Sequence, residues 1–314
     1  YDGAGRTVAS YITSDSAEFA SPTYAAAQTV ASDTILNVSV TVYDGERVSQ
    51  VKKGTVYGGG SDNMVAVQKY WYDSNGDGSG TNTARLTGVS TIKPLTTLAG
   101  TSADYAITLY QYDSAGRQNV TITPDPDGAG SLKPTKYETT YDLLGRPTLS
   151  QTFKVDGQTE TLLSQAETDY NSAGQTSASR VYEVSSGSAG DSLETAYSYD
   201  GLGRQCKTAQ PNGAFTKTLY DAWGRVTGQY MGTDEGGTND PAGLTGDTIV
   251  EQTVPSYDSL GRVWLTTSYQ RWDNGSGTGA LTTSNARATY DVVWFDDLGR
   301  TKWAATYEIG RAHV

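Results

Sequence analysis

Tyr199-Asp200-Gly201-Leu202-Gly203-Arg204, then Pro211-Asn212-Gly213, then Tyr220-Asp221-Ala222-Trp223-Gly224-Arg225: this stretch decides how the chain is read. An Asp at the first position of a tight turn accepts hydrogen bonds from the backbone N–H groups just ahead of it. Two variable residues then take ordinary type I turn angles, and a Gly follows where positive φ is wanted. This is the chemistry of a hairpin loop ending in a glycine bulge. Pro211-Asn212-Gly213 is a second turn, so 204–220 reads as strand, turn, strand. The motif's own Tyr and Arg are expected to face each other across the two strands, the guanidinium on the ring, worth roughly 0.5–1 kcal/mol if exposed.

Outward from this stretch the motif recurs. Good copies run Tyr1 to Arg6, Tyr112-Asp113 to Gly116-Arg117, Tyr141-Asp142 to Gly145-Arg146, Tyr199 to Arg204, Tyr220 to Arg225, Tyr257-Asp258 to Gly261-Arg262 and Phe295 to Arg300. Degraded copies start at Tyr43, at Tyr72 (with Asp77 at the arginine position) and at Tyr170, giving copies at 1, 43, 72, 112, 141, 170, 199, 220, 257 and 295. Successive aromatics are 42, 29, 40, 29, 29, 29, 21, 37 and 38 residues apart. The longer intervals carry Gly/Ser/Thr/Asp-rich inserts, such as 232–246 and 273–279, which read as surface loops. Flanks such as Thr216-Lys217-Thr218-Leu219-Tyr220 and Val263-Trp264-Leu265-Thr266-Thr267 are β-rich, and no segment shows helical periodicity. A 29-residue unit holds two strands of about 10 residues, each about 33 Å long. A lone hairpin is marginal in water, but stacked units pair edge to edge and form one long antiparallel ribbon. A β-propeller of ~40–45 residues per blade fits the intervals of 37 to 42 and not the run of 29.

Composition agrees. Only 36% of the 314 residues are hydrophobic; Tyr (22) far exceeds Phe (4), and Gly is frequent (36). That suits two-faced strands and turns better than a thick aliphatic core. A net charge of −12 with 23 Lys+Arg and no basic run argues against nucleic acid. No apolar stretch in this fragment approaches the ~20 residues of a membrane span. One cysteine, Cys206, excludes an internal disulfide or a Cys-rich metal site. The chain opens at Tyr1 inside a motif copy and reads as an internal fragment. Residues 308–314 read as an in-frame translation of a short-read sequencing adapter, leaving 1–307 as the repeat region. The single histidine, His313, falls in that tail.

The Tyr-Asp-x-x-Gly-Arg copies, the Pro-Asn-Gly turn between two of them and the 21-residue step from Tyr199 to Tyr220 resemble the YD-repeat unit of RHS proteins. Members include polymorphic toxins, toxin-complex shell subunits, wall-associated proteins and teneurins. The resemblance implies an all-β chain of antiparallel hairpins coiled into part of the wall of a hollow shell. In toxin members that shell encloses a C-terminal effector, and catalysis belongs to the effector. It therefore implies a secreted or surface-exposed, non-enzymatic segment whose partners are the rest of its own repeat chain and an enclosed C-terminal domain. The irregular spacing and long inserts depart from the family pattern.

Other candidate sites each have a plainer reading. Asp73, Asn75 and Asp77 supply oxygens at positions 1, 3 and 5 of a calcium loop, with Gly at 6, but the twelfth position is Ala84 rather than Glu. A degraded repeat turn explains them equally well, and calcium is the only cofactor they suggest. Asp240-Pro241-Ala242-Gly243-Leu244 resembles the self-cleavage element at the end of the toxin-family core, yet another repeat follows it, and an ordinary turn accounts for it. Asp296 and Asp297 could suggest glycoside hydrolysis, although Asp296 has a turn role. Cys206 lacks a histidine partner and reads as a small packed residue. Trp71, Trp223, Trp264, Trp272, Trp294 and Trp303 could stack on glycans, as a surface adhesin would require, or simply fill the pleated faces.

Overall fold

The computed structural model describes residues 1–14, 34–54, 65–74, 81, 83, 85–92, 105–127, 131–234 and 241–309. All regular structure among them is strand, nineteen in number and in one sheet. The chain divides into two units, Tyr1–Ser164 with Ser186–Ser188, and Gln165–Ser185 with Ala189 onward.

The first unit holds β1 (Ala9–Ser14), β2 (Thr34–Asp44), β3 (Arg47–Gly54), β4 (Val65–Trp71), β5 (Gly88–Ile92), β6 (Tyr105–Tyr112), β7 (Gln118–Ile122), β8 (Thr135–Tyr141) and β9 (Pro147–Asp156). From β1 to β9 each strand pairs antiparallel with the next. β10 (Thr159–Tyr170) begins in the first unit and ends in the second. The second unit continues with β11 (Thr176–Ser185), β12 (Ser188–Tyr199), β13 (Gln205–Ala209), β14 (Phe215–Tyr220), β15 (Val226–Asp234), β16 (Thr248–Tyr257), β17 (Val263–Arg271), β18 (Ala286–Phe295) and β19 (Thr301–Ile309). Its registered pairs are again sequence neighbours, all antiparallel. This is a meander of hairpins, the simplest answer to short connections between β-rich segments. A single sheet of this length rules out propeller blades, which are separate four-stranded sheets.

Every motif turn after the first copy, which precedes β1, joins an even-numbered strand to the odd-numbered one after it, so within each unit these turns share one rim. The register shifts by one residue at the motif aromatic, as at Ser198/Tyr199, Leu219/Tyr220 and Ser256/Tyr257. The glycine four residues further on has φ of +78°, +84° and +79° at Gly203, Gly224 and Gly261. A bulge with glycine in the left-handed region is how a three-residue loop matches the twist of its strands.

The insert at 273–279 is mostly exposed, as a surface loop should be, whereas the one at 232–246 departs from that reading where it is described. Gly232 lies within β15 and is buried. Residues 241–247 and 272–285 fold back over one face of the second unit, where they add Leu244 and Leu281 to its core. Phe215, Ile249, Leu281 and Ala286 are buried together there, with Tyr230, Leu244 and Tyr269 packed against them. A sheet so poor in aliphatic residues has no second layer of its own, and the two straps supply one. Gly232 is the point of closest approach. A Cβ there would overlap the Phe215 ring and lie 2.8 Å from the Thr248 carbonyl oxygen, so only glycine fits.

At the C-terminal end, Glu308 and Ile309 continue β19 opposite Thr289 and Ala288, and 310–314, including His313, lie outside the described residues.

Candidate functional site

In the seven good copies the motif turn is closed by its own Asp and Arg. In the copy at 199, Asp200 Oδ1 accepts from the N–H groups of Leu202 and Arg204 at 2.9 Å, and Asp200 Oδ2 accepts from Arg204 Nε at 2.6 Å. The same set recurs at Asp2, Asp142, Asp221, Asp258 and Asp296. Asp113 likewise accepts from Arg117 N and Nε. The copy at Tyr170 builds this loop without charge: Asn171 Oδ1 accepts from Gln175 N, and Asn171 Nδ2 donates to Gln175 Oε1 at 3.1 Å.

The arginine, held by its own Asp, turns its ring-stacking face toward the following repeat. This corrects the expectation that Tyr and Arg of one motif pair with each other. Arg204 lies over Tyr220 with Cζ 4.4 Å from the ring centroid, Arg225 over Tyr257 at 4.5 Å and Arg262 over Phe295 at 4.4 Å. The first unit repeats this with Arg6 over Tyr43, Arg47 over Tyr72 and Arg117 over Tyr141. Two hydrogen bonds complete the joint. Arg117 Nη1 donates to Asp142 O at 2.8 Å, and Tyr141 Oη donates to Gln118 O at 3.0 Å. Tyr199, Tyr220 and Tyr257 reach back in the same way to Thr176, Gln205 and Val226. The topology is the cause: β13 starts just after Arg204 and runs antiparallel beside β14, whose last residue is Tyr220. The motif is thus a clasp between consecutive repeats.

The clasp also revises the copy at Tyr72. Asp77, given the arginine position in the sequence, lies outside the described residues. Arg85 takes the arginine's place, 5.3 Å from the Tyr112 ring, and Tyr112 Oη donates to Leu86 O at 2.7 Å. An insertion inside the turn displaced the arginine, and the 40-residue interval from Tyr72 to Tyr112 was its trace in the sequence.

The turn carboxyls are held below the ordinary carboxylate range. At Asp2, Asp113, Asp142, Asp200, Asp258 and Asp296 the first cause is the hydrogen bond from the backbone N–H of the motif's Arg, helped by that Arg's side-chain hydrogen bond and by an arginine charge, its own or, at Asp296, that of Arg262. At Asp221 burial pulls upward most strongly, but the bonds and charge of Arg225 outweigh it. Lowered native values mean that the turns' contribution is complete above about pH 4 and is lost as pH falls through those values. Exchanging Asp200, Asp221, Asp258 and Asp296 together for Asn is expected to flatten the acid limb of stability, because Asn171 already fits this loop. An acid transition unchanged in slope, followed by near-ultraviolet circular dichroism, would count against this.

Beneath the straps lies a buried ion pair that sequence reading missed. Lys217 Nζ donates to Asp247 Oδ2 and to Gly243 O, both at 2.8 Å, and both side chains are 0% exposed. The ammonium also sits 5.1 Å from the Phe215 ring centroid. Gln252 clasps the other strap through Leu281, accepting its N–H at 2.6 Å and donating to its carbonyl at 3.4 Å. Gly279 N donates to Asp247 O at 2.8 Å, tying strap to strap. The available signal was the alternation Phe215-Thr216-Lys217, which sets a lysine on the same face as a phenylalanine and so asks for a partner.

Of the other candidates, Asp73 is buried, whereas Asn75, Asp77 and Ala84 lie outside the described residues. Asp240 also lies outside them, while Gly243 and Leu244 belong to the first strap. Asp296 is committed to Arg300. Cys206 is buried. Trp71 Nε1 donates to Ser90 Oγ at 2.6 Å, whereas Trp223, Trp264, Trp294 and Trp303 are exposed. No group of three or more potential metal-ligating His, Cys, Asp or Glu occurs among the described residues, nor any helix long and apolar enough to cross a membrane.

No family model matches this chain, and no curated protein matches it in sequence. Among solved structures it is similar to the crystal structure of TcdB2-TccC3-Cdc42, at 16% identity and a TM-score of 0.39 over 88% of this chain. It is also similar to the Photorhabdus luminescens Tc holotoxin pore with mutant TccC3, at 17% identity and a TM-score of 0.38 over 87% of this chain. The chain spans 14% of the length of each.

Proposed function

We propose that this chain is a non-enzymatic wall segment of a secreted or surface YD-repeat protein, and that the wall encloses or presents a C-terminal effector domain. The observation that carries this reading is the forward clasp: in most copies Asp, Arg and Tyr are spent on closing a turn and joining the next repeat. Chemistry-bearing residues used this way build a wall that propagates. The encapsulating role itself rests on the resemblance of the motif to RHS proteins. Long-read sequencing of the parent gene across both ends tests it. Further YD repeats, then a short boundary element and an unrelated small domain, are expected. A cell-wall anchor or sugar-binding modules downstream would replace encapsulation with adhesion.

A second reading, glycan binding, draws on one arrangement. Trp294 and Trp303 are directly opposite in register, on one sheet face and both exposed, and Tyr290 and Tyr307 are opposite each other further along it. Paired rings of this kind offer a flat platform to the C–H face of a sugar.

A further inference from the structure

The pair beneath the first strap holds a primary amine and a carboxyl in contact, sealed from solvent. Lys217 Nζ stands 2.8 Å from Asp247 Oδ2, and both side chains are 0% exposed. Asp247 Oδ1 is buried as well, with no hydrogen-bond partner among the described residues. Both groups are held in place. Lys217 is fixed in β14, where it pairs with Tyr230 of β15. Asp247 is tied on both sides of its backbone: its N–H donates to Leu244 O at 3.2 Å, and its carbonyl accepts from Gly279 N at 2.8 Å. The surroundings are apolar. Phe215, whose ring centroid lies 5.1 Å from the ammonium, packs with Ile249, Leu281 and Ala286.

Two ions facing each other in such a site carry a desolvation cost that a neutral pair avoids. Holding an amine against a carboxyl also replaces a bimolecular encounter, and well-oriented groups reach effective molarities of about 10⁵–10⁸ M.

We propose that Lys217 and Asp247 condense to an intramolecular amide, Nζ to Cγ. A proton crosses the observed hydrogen bond from Nζ to Oδ2, leaving a neutral amine and a carboxylic acid. The Nζ lone pair then forms a bond to Cγ and the Cγ–Oδ2 bond breaks. Oδ2 departs as water, with that proton and a second one from Nζ. No oxidant or activated donor is needed, and one N–H remains on the amide. Gly243 O, 2.8 Å from Nζ, already stands where that N–H needs an acceptor. The nucleophile exists only while the proton sits on the carboxyl, so the step is slow against folding. A freshly folded chain therefore carries the ion pair, and an aged one the amide. The bond closes a loop from 217 to 247 and fixes the first strap over its core. With a single cysteine, the chain has no internal disulfide to do this. The proposal is independent of any enclosed cargo.

Intact-mass spectrometry of the folded chain, kept for weeks, tests it. The wild-type mass is expected to fall by one water. Trypsin should then fail to cut after Lys217 and should leave a branched peptide joining Lys217 to Asp247. Asp247→Asn keeps the shape and should lose ammonia instead, converging on the same final mass. Lys217→Arg should keep the full mass of its sequence; if that variant does not fold, the branched wild-type peptide decides alone. A wild-type chain that stays folded, by near-ultraviolet circular dichroism, and keeps its full mass overturns the proposal. So does a water lost equally from Lys217→Arg, which would assign the loss to a succinimide at an Asp-Gly step such as Asp200-Gly201.

Discussion

Replacing Asp247 with alanine is expected to lower the unfolding free energy of the second unit by about 3–5 kcal/mol, the range for breaking a buried ion pair from one side. The ammonium of Lys217 would keep the Gly243 carbonyl but lose the Asp247 carboxylate, in a place where neither side chain reaches solvent. The cost comes mainly from the stranded charge rather than from the lost attraction. A paired exchange separates the two: Lys217→Met with Asp247→Leu should recover much of the loss, because apolar side chains of similar size often replace a buried pair without penalty. Urea unfolding followed by tryptophan fluorescence measures both. A single exchange costing less than about 1 kcal/mol would mean that the strap does not seal this pair from water.

Phe215→Ala should cost a similar amount, about 3–5 kcal/mol. The ring is 1% exposed and is enclosed by Ile249, Leu281 and Ala286, with Gly232 beneath it. The site has little means of collapsing, because the backbone of β15 already touches the ring. Removing the ring also loosens Leu281, and with it the strap from 272 to 285, so limited proteolysis should begin there at temperatures where the wild-type chain resists. Phe215→Leu keeps most of the volume and is expected to cost less than about 1.5 kcal/mol. If alanine and leucine were equally tolerated, the strapped core would not be the source of the unit's stability.

The strands and turns could be read from the sequence because their causes are local. A turn Asp, a left-handed Gly and flanking β-branched residues act within six positions, so Asp200 to Arg204 carries its own explanation. The clasp could not be read in the same way. Arg204 and Tyr199 are close in sequence, but strand pairing brings Arg204 to Tyr220, and this order becomes visible only once β13 is placed between β12 and β14. The straps were hidden for a related reason. Glycine, serine and aspartate in 241–247 and 272–285 have the composition of exposed loops, and only Phe215, Lys217 and Gln252 on distant strands give them something to cover. The tail at 308–314 and the calcium-loop match at Asn75 and Asp77 turn on residues that lie, in part or whole, outside those described.

The forward clasp carries a consequence for how such a gene changes. Its joint is the same whether 16 residues separate Arg and Tyr, as from Arg204 to Tyr220, or 37, as from Arg6 to Tyr43. Each copy that keeps its arginine therefore ends in an outgoing half that fits the incoming half of any other. Unequal crossover between two charged copies would remove or add a whole number of units and still leave each of their arginines facing an aromatic ring. Length in this lineage is inherited as a count, open to revision by recombination, while the seams stay constant.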